Sequence, residues 1–383
     1  MFKFQRNIQP LIEAQLYKSK VIIIYGARRT GKTFLCNQII KNQSERGIKA
    51  KYLNCELFAV KQKLQTTNEQ ELKNYLEDSG LVILDEDQNV ENIGLTLKIL
   101  VDTYPEIQII ATGSSSFDLA NKTGEPLTGR ARRFTLYPLS IEELKTRYDL
   151  FQIESNLDKI LTYGLYPSVF NSAEEDSRIE LDEIASNYLY KDILAFEKVK
   201  NSNVILEILQ LLALQLGNEV SYHEIGEKLK LDSATVKRYI DLLSKCFVIF
   251  PLTPLSRHLR REINKTRKIY FYDLGIRNSL IRNYNPPKLR NDTGALWENF
   301  CIVERLKYNQ SHSRLVNSYF WRTYDGKEID YIEEHSGMLD GYEFKSAKNS
   351  KTYRPPKIFL ESYENSSVKK IDPLNYLEFI TEQ

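Results

Sequence analysis

Eight consecutive residues, Gly26, Ala27, Arg28, Arg29, Thr30, Gly31, Lys32 and Thr33, have the types and spacing needed to hold a row of phosphates. Glycines at the two ends of such a loop adopt backbone angles closed to other residues. Successive amides can then wrap around phosphate oxygens where a helix begins. Lys32 would reach the β and γ phosphates, and the Thr33 hydroxyl would ligate Mg²⁺. A second constellation closes an apolar run, Leu81-Val82-Ile83-Leu84, with Asp85 and Glu86. Acids at the C-terminal edge of a parallel strand can divide the labour, Asp85 holding the metal shell and Glu86 orienting and deprotonating water. Alone, four apolar residues and two acids usually mean only a strand end; downstream of a phosphate loop they form a Walker B pattern. A third polar tip, Thr112-Gly113-Ser114, follows the run from Ile107 to Ala111. Ser114 or Thr112 is the candidate sensor there, against the plainer reading of a turn of small residues.

Near the other end of the chain, Glu298, Asp330, Glu343 and Lys345 form another set. Asp330 falls in a strand pattern from Glu328 to Glu333, and Glu343-Phe344-Lys345 falls in the next, with a turn near Ser336-Gly337 between them. A tight turn would bring Asp330 opposite or diagonal to Glu343 and Lys345. Alternation then sends Tyr342 and Phe344 to the core and Glu343 and Lys345 to the other side. The pattern resembles the PD-(D/E)xK nuclease core. In such a site Asp330 and Glu343, completed by Glu298 on a helix, would hold Mg²⁺ while Lys345 helps activate water. A solvent-facing hairpin with an ordinary ExK is the competing reading.

The elements that must position these residues follow from periodicity. To about Ser140, short β-branched runs alternate with helical patterns, which predicts a parallel α/β sheet. Val21 to Tyr25 is the strand before the phosphate loop, and Phe34 to Lys41 lies in the helix after it. From Ile141 to about Gln215 apolar residues recur at three- and four-residue spacings, predicting a helical lid and connector. Val220 to Leu243 then reads as two helices around Leu231-Asp232, the second capped by Asp232 or Ser233 with Ala234, Tyr239, Ile240, Leu242 and Leu243 on its apolar side. Phe247 to Leu252 and Lys268 to Tyr272 could be the strands of a wing, making a winged helix the expected fold of this unit. The stretch Arg257 to Lys268 between them carries six Arg or Lys in twelve residues, suited either to phosphate contact or to a solvated face. Pro286-Pro287 reads as a linker before the last α/β unit.

Composition narrows the classes. The 53 Lys and Arg nearly balance 51 Asp and Glu, so net charge alone selects no polyanionic partner. Four scattered cysteines without a CxxC pair speak against a disulfide scaffold or a zinc site and fit a reducing cytoplasm. No run reaches the roughly 18 apolar residues of a spanning helix, and no signal peptide is expected.

Together these motifs resemble the prokaryotic AAA-like ATPases that carry a C-terminal domain of unknown function. The resemblance is carried by GARRTGKT, by Leu84 to Gln88, by Ala111 to Ser115, by Leu127 to Arg130, and by Tyr163 to Pro167. Lys191 to Ile193, Lys268 to Gly275 and Gly294 to Phe300 extend it. Asp87 departs from it, standing where an apolar residue is expected. The resemblance implies that Arg130 senses the γ-phosphate, across a subunit interface in one version; Arg132, Arg133 or a purely structural role are the alternatives. The expectation is an α/β protein: an AAA-like P-loop NTPase domain over 1–140, a helical lid over 141–215, a winged-helix domain over 216–285, and a restriction-endonuclease-like α/β domain over 286–383. ATP and Mg²⁺ are the expected cofactors. DNA is the expected partner, with a homo-oligomer or another protein as further candidates. The competing function is a nucleotide-dependent switch with an inactive nuclease fold and a protein partner.

Overall fold

The computed structural model describes residues 4–114, 127–196, 202–256, 267–323, 325–347 and 353–381, with side chains described outside 187–202. The run of basic residues from 257 to 266, Ser115, and the side chains of Lys191 to Ile193 therefore lie outside the described residues.

Five strands, β1 (Val21–Tyr25), β2 (Ala50–Asn54), β3 (Leu81–Asp85), β4 (Gln108–Gly113) and β5 (Ala131–Thr135), form one sheet in the order β2-β3-β4-β1-β5. Every pairing in it is parallel. Helices cover both faces, so the central strands are buried along their whole length, as continuous apolar runs require. Alternation sorts the side chains: Ile22 and Ile24 pack with Leu35 and Ile39 of helix Lys32–Glu45, while Val21 and Ile23 pack with Leu97 and Leu100 of helix Ile93–Thr103. A residue such as Ile22, fully buried, stabilises the fold by about 1.5–3 kcal/mol through burial alone.

The segment after β5 is helical, beginning with helix Ile141–Leu144, whose Ser140 and Glu143 form a capping box. The second sheet contains seven strands in the order β12-β11-β10-β9-β7-β8-β6. These are β6 (Glu219–Val220), β7 (Ile249–Pro254), β8 (Arg267–Phe271), β9 (Asn317–Arg322), β10 (Glu328–His335), β11 (Met338–Phe344) and β12 (Ser366–Ile371). Between β6 and β7 stand helices Tyr222–Leu229 and Ser233–Lys245. Asp232 caps the second by accepting from the Thr235 amide at 2.8 Å. Ala234, expected on its apolar side, is exposed; fully buried Val236 takes that place, because the buried stripe follows Val236, Tyr239, Ile240 and Leu243.

A parallel pairing of Thr253 and Pro254 with Tyr319 and Phe320 joins β7 to β9. The boundary drawn from sequence at 285/286 thus crosses one continuous sheet. Pro286-Pro287 is a packed turn: Pro287 is buried and the Arg290 side chain, fully buried, donates to Asp292 Oδ1 at 2.8 Å and to the Asn283 carbonyl at 2.8 Å. The recurring motifs pack on one another. A side chain at Gly164 would place its Cβ 2.1 Å from Asp273 Oδ1, and the Leu165 amide donates to Asp273 Oδ2 at 2.7 Å. Asn299 of helix Thr293–Ser311 pairs with both the amide and the carbonyl of Phe271 at 2.8 and 2.9 Å. Tyr163 to Pro167, Lys268 to Gly275 and Gly294 to Phe300 are in this way one joint. Among the described residues no helix is long and apolar enough to cross a membrane.

Candidate functional site

Strand β1 delivers the chain to Gly26, and helix Lys32–Glu45 starts six residues later with Gly31 as its cap at φ +97°. Gly31 has the left-handed conformation that favours glycine. Gly26 lies so close to the Leu136 carbonyl that a Cβ would approach it to 2.3 Å. The Thr30 hydroxyl donates to the Ala27 carbonyl at 2.8 Å and closes the loop. Lys32 is buried, its ammonium donating to the carbonyls of Gly26 and Ala27 at 2.8 and 3.1 Å.

Thr33 and Asp85 meet as expected: the hydroxyl donates to Asp85 Oδ2 at 2.9 Å. Tyr52 and Thr112 also donate to the Asp85 carboxylate, one to each oxygen. Glu86 follows at φ +54°, a conformation that costs a non-glycine residue free energy and aims its side chain off the strand end. Its amide donates to the Thr112 hydroxyl at 3.2 Å. Gln88 donates to the Glu86 carboxylate and lies 3.4 Å from the Ser114 hydroxyl. Both candidate sensors therefore connect to the acids, Thr112 directly and Ser114 through Gln88. Asp87 is fully buried, in a position where an apolar residue was expected.

A cavity of about 400 Å³ opens beside the loop, lined by Arg28 to Thr33 and Glu86 and, on an apolar side, by Phe4, Leu139 and Pro167. Arg29, at φ +63°, reaches across to helix Glu174–Phe196, donating to Glu180 at 2.6 Å. Buried Arg6 ties the rim together through Glu143 at 2.9 Å and the carbonyls of Thr30 and Tyr137, each at 2.6 Å. Tyr52, Gln88, Glu180 and Arg6 were not singled out from sequence; Gln88 alone sits inside a recognised block. Arg130 does not line this cavity. Its guanidinium donates to Asp102 at 2.7 Å, and Arg132 and Arg133 are exposed on β5.

The adjacent Thr33 hydroxyl and Asp85 carboxylate offer the hard oxygen donors that Mg²⁺ takes. With phosphates in the loop, these two would hold the ion, which would draw charge from the phosphate oxygens.

In the second sheet, β10 and β11 pair antiparallel with Tyr331 opposite Tyr342, so Asp330 falls opposite Glu343. The Phe344 amide donates to Asp330 Oδ2 at 2.9 Å, and Lys345 donates to Glu343 at 2.7 Å. Tyr342 and Phe344 are buried as expected, but the other face is also packed, with Ile329, Ile332 and Leu339 against Phe359. One residue that the sequence reading did not assign to this set stands at the centre. Lys268 of β8 places its ammonium 3.1 Å from Glu298, 2.5 Å from Glu328 and 3.7 Å from Asp330. Tyr270 donates to the same Glu298 oxygen at 2.5 Å. Burial pulls the Lys268 ammonium down, but the charges of Glu298, Asp330 and Glu328 outweigh it and hold its pKa above the usual lysine value. Burial and the neighbouring Asp330 push Glu298 up to about 7, and burial raises Asp330 and Glu343 as well. Among the described residues no three His, Cys, Asp or Glu side chains are grouped so as to hold a metal ion. Glu298 and Asp330, two of the three carboxylates expected to share a divalent cation, share Lys268 with Glu328, and the third, Glu343, pairs with Lys345.

A parallel sheet with a phosphate loop after β1 and an acid pair at the end of β3, one strand (β4) between them, defines a P-loop nucleotide-binding protein. Residues 18–145 match the AAA domain model, residues 154–286 a domain of unknown function (DUF8612), and residues 293–372 another domain of unknown function (DUF4143). Over residues 18–145 the chain is thus similar to AAA domains, and over the residues that follow it is similar to two domains of unknown function. It is similar to an uncharacterized protein of Mycobacterium tuberculosis, 27% identical over 89% of this chain and 74% of that protein. An uncharacterized protein of Haemophilus influenzae is 26% identical over 81% and 78% of the two chains. Among solved structures, the replication initiator DnaA bound to AMPPCP and single-stranded DNA overlaps 64% of this chain and 89% of its own at 20% identity and a TM-score of 0.30. DnaA from Aquifex aeolicus bound to AMPPCP gives 62%, 86%, 18% and 0.27 in the same order. At such scores the AAA-like assignment rests on the matched domain and the local geometry.

Proposed function

We propose that the chain binds ATP with Mg²⁺ and hydrolyses it, and that the hydrolysis drives a DNA-directed activity. The observation that carries the ATPase reading is the joining of Thr33 to Asp85 at 2.9 Å, with Glu86 on the next residue and the glycine loop beside it. In this reading the loop amides and Lys32 bind the phosphates, Thr33 and Asp85 position the metal, and Glu86 accepts a proton from the attacking water while Gln88 orients its carboxylate. Arg130 acts on the phosphate only from a neighbouring subunit, since within one chain it is bound to Asp102.

DNA contact belongs to the unit from β6 to β8. Two helices followed by β7 and β8, with β6 pairing to β8, are the arrangement of a winged helix, and this supports the reading. For the C-terminal unit, Lys268 among Glu298, Glu328 and Asp330 favours a nuclease-like fold that does not cut. A fixed ammonium there supplies the positive charge that a divalent ion would bring.

The test is an ATPase assay with and without DNA, beside a cleavage gel in Mg²⁺ or Mn²⁺. Hydrolysis by the parent and its loss in Glu86→Gln, with ATP binding retained, are expected. Unchanged turnover in Glu86→Gln sinks the Walker B role. Metal-dependent cleavage lost in Asp330→Ala would overturn the non-cutting reading.

A further inference from the structure

Among the described residues, strand β5 is the outer strand of the first sheet and pairs only with β1. The Arg130 carbonyl and the Leu136 amide face β1, bonded to the Val21 amide and the Tyr25 carbonyl. By alternation, the amides and carbonyls of Ala131, Arg133 and Thr135 face outward. Thr135 has its carbonyl covered by Gln310 at 2.7 Å. No partner is recorded for the outward groups of Ala131 and Arg133 among the described residues. An uncapped edge of this kind is a template for another strand.

Beside that edge lies a cavity of about 740 Å³, between β5 and the turn that leads from helix Thr293–Ser311 into β9. Its charged lining is Arg132, Arg133 and Arg314, and no Asp or Glu lines it. Phe134 and Val316 form an apolar wall, and Leu315 is 94% exposed at the rim. Arg314 lies 3.9 Å from buried Glu333, which is already held in a two-pronged pair by Arg305 at 3.0 and 2.8 Å.

We infer that this groove docks an extended acidic segment of a partner protein, which adds as a strand to the edge of β5 and sets its carboxylates against Arg132, Arg133 and Arg314. Three features select a peptide. The outward edge offers donors and acceptors together, and only another backbone supplies the matching row of both. Arg132 and Arg133 stand on β5 and Arg314 stands across the groove, and arginines match carboxylates in fork geometry. Leu315, Phe134 and Val316 give apolar contact for other side chains of the segment. A nucleic acid would satisfy the arginines through phosphates but leave the outward carbonyls without donors.

The probe is a fluorescein-labelled peptide of alternating Glu and Val, titrated with the full chain and read by fluorescence anisotropy. Its counterpart N-methylated at alternate residues and a labelled oligothymidine run beside it. Arg133→Glu combined with Arg314→Gln should weaken peptide binding by about tenfold or more, while Arg133→Lys should stay within about threefold of the parent. N-methylation of the edge-facing amides should weaken it comparably, and Leu315→Asp, at an exposed position, should weaken it without shifting the melting temperature. Absence of peptide binding, or binding indifferent to the arginines and to N-methylation, overturns the inference. Tighter binding of oligothymidine with the same arginine dependence overturns it in favour of nucleic acid, and self-association lost in Leu315→Asp overturns it in favour of a second copy of this chain. ATPase activity is read separately, so failure here is distinguishable from failure of the nucleotide site.

Discussion

The nucleotide site and the C-terminal carboxylate cluster are both built at strand ends from acids and a lysine, yet they are assembled by opposite means. In the first, Gly26 to Thr33 is one unbroken stretch, and a single parallel sheet brings Asp85 to it across one intervening strand. Lys32 donates to the backbone carbonyls of its own loop, so dipoles hold its ammonium. In the second, Lys268, Glu298, Glu328, Asp330 and Glu343 come from β8, a helix, β10 and β11, and the lysine is clasped by carboxylates. A lysine held by weak dipoles can turn to a stronger anion when one arrives. A lysine held by three carboxylates cannot leave without exposing their mutual repulsion. The first arrangement suits ligand exchange and the second suits a fixed joint between the middle and C-terminal strands.

The largest effect that would break this contrast lies at the nucleotide site. Glu86→Gln should lower ATP turnover by about 10²–10⁴-fold, the range for losing a positioned general base, with ATP affinity little changed. Lys32→Ala should instead lose tight nucleotide binding, measured by calorimetry. Equal loss of affinity in both variants would erase the division between phosphate cradle and water activation.

At the cluster the expected effect is on stability. Lys268→Met removes the one cation shared by Glu298, Glu328 and Asp330 and should cost about 3–5 kcal/mol in urea unfolding, because buried carboxylates lose their partner. A second comparison sharpens this. In a Lys32→Ala background, Mn²⁺ should leave the melting temperature of the parent cluster unmoved, whereas Lys268→Met should gain a Mn²⁺-dependent rise as the ion takes the vacated charge. A rise of the same size with Lys268 present would show that the cluster takes metal after all.

How much was legible in the sequence follows the same division. Gly26 to Thr33, Asp85 and Glu86 could be read because adjacency and a parallel sheet fix their geometry within one short-range pattern. The strand turn that sets Asp330 against Glu343 was legible for the same reason, since alternation across a hairpin is local. Lys268 was not, because it stands in a separate strand and looked like the last member of a basic run. Its role depends on β7 pairing with β9, a contact no periodicity announces. The same pairing carries the sheet across Pro286-Pro287, the expected linker. Arg6 was equally silent: its three partners, Glu143, Thr30 and Tyr137, are far away along the chain.

The smallest effect is a pH dependence. Burial and the Asp330 charge raise Glu298 from 4.5 to about 7 in the folded protein. Between those two values the folded state binds a proton that the unfolded chain has released, so stability falls as pH rises. The contribution is fully present below 4.5 and is lost by the time pH has passed through about 7. Glu298→Gln cannot ionise but still accepts from Tyr270 and Lys268 through its amide oxygen, so it keeps the local packing while removing the titration. The parent should therefore lose about 1–3 kcal/mol more than Glu298→Gln between pH 5 and pH 8, measured by urea unfolding at matched ionic strength. Parallel pH profiles for the two proteins would mean that Lys268 fully neutralises Glu298 and that Glu328 and Asp330 bear the excess charge.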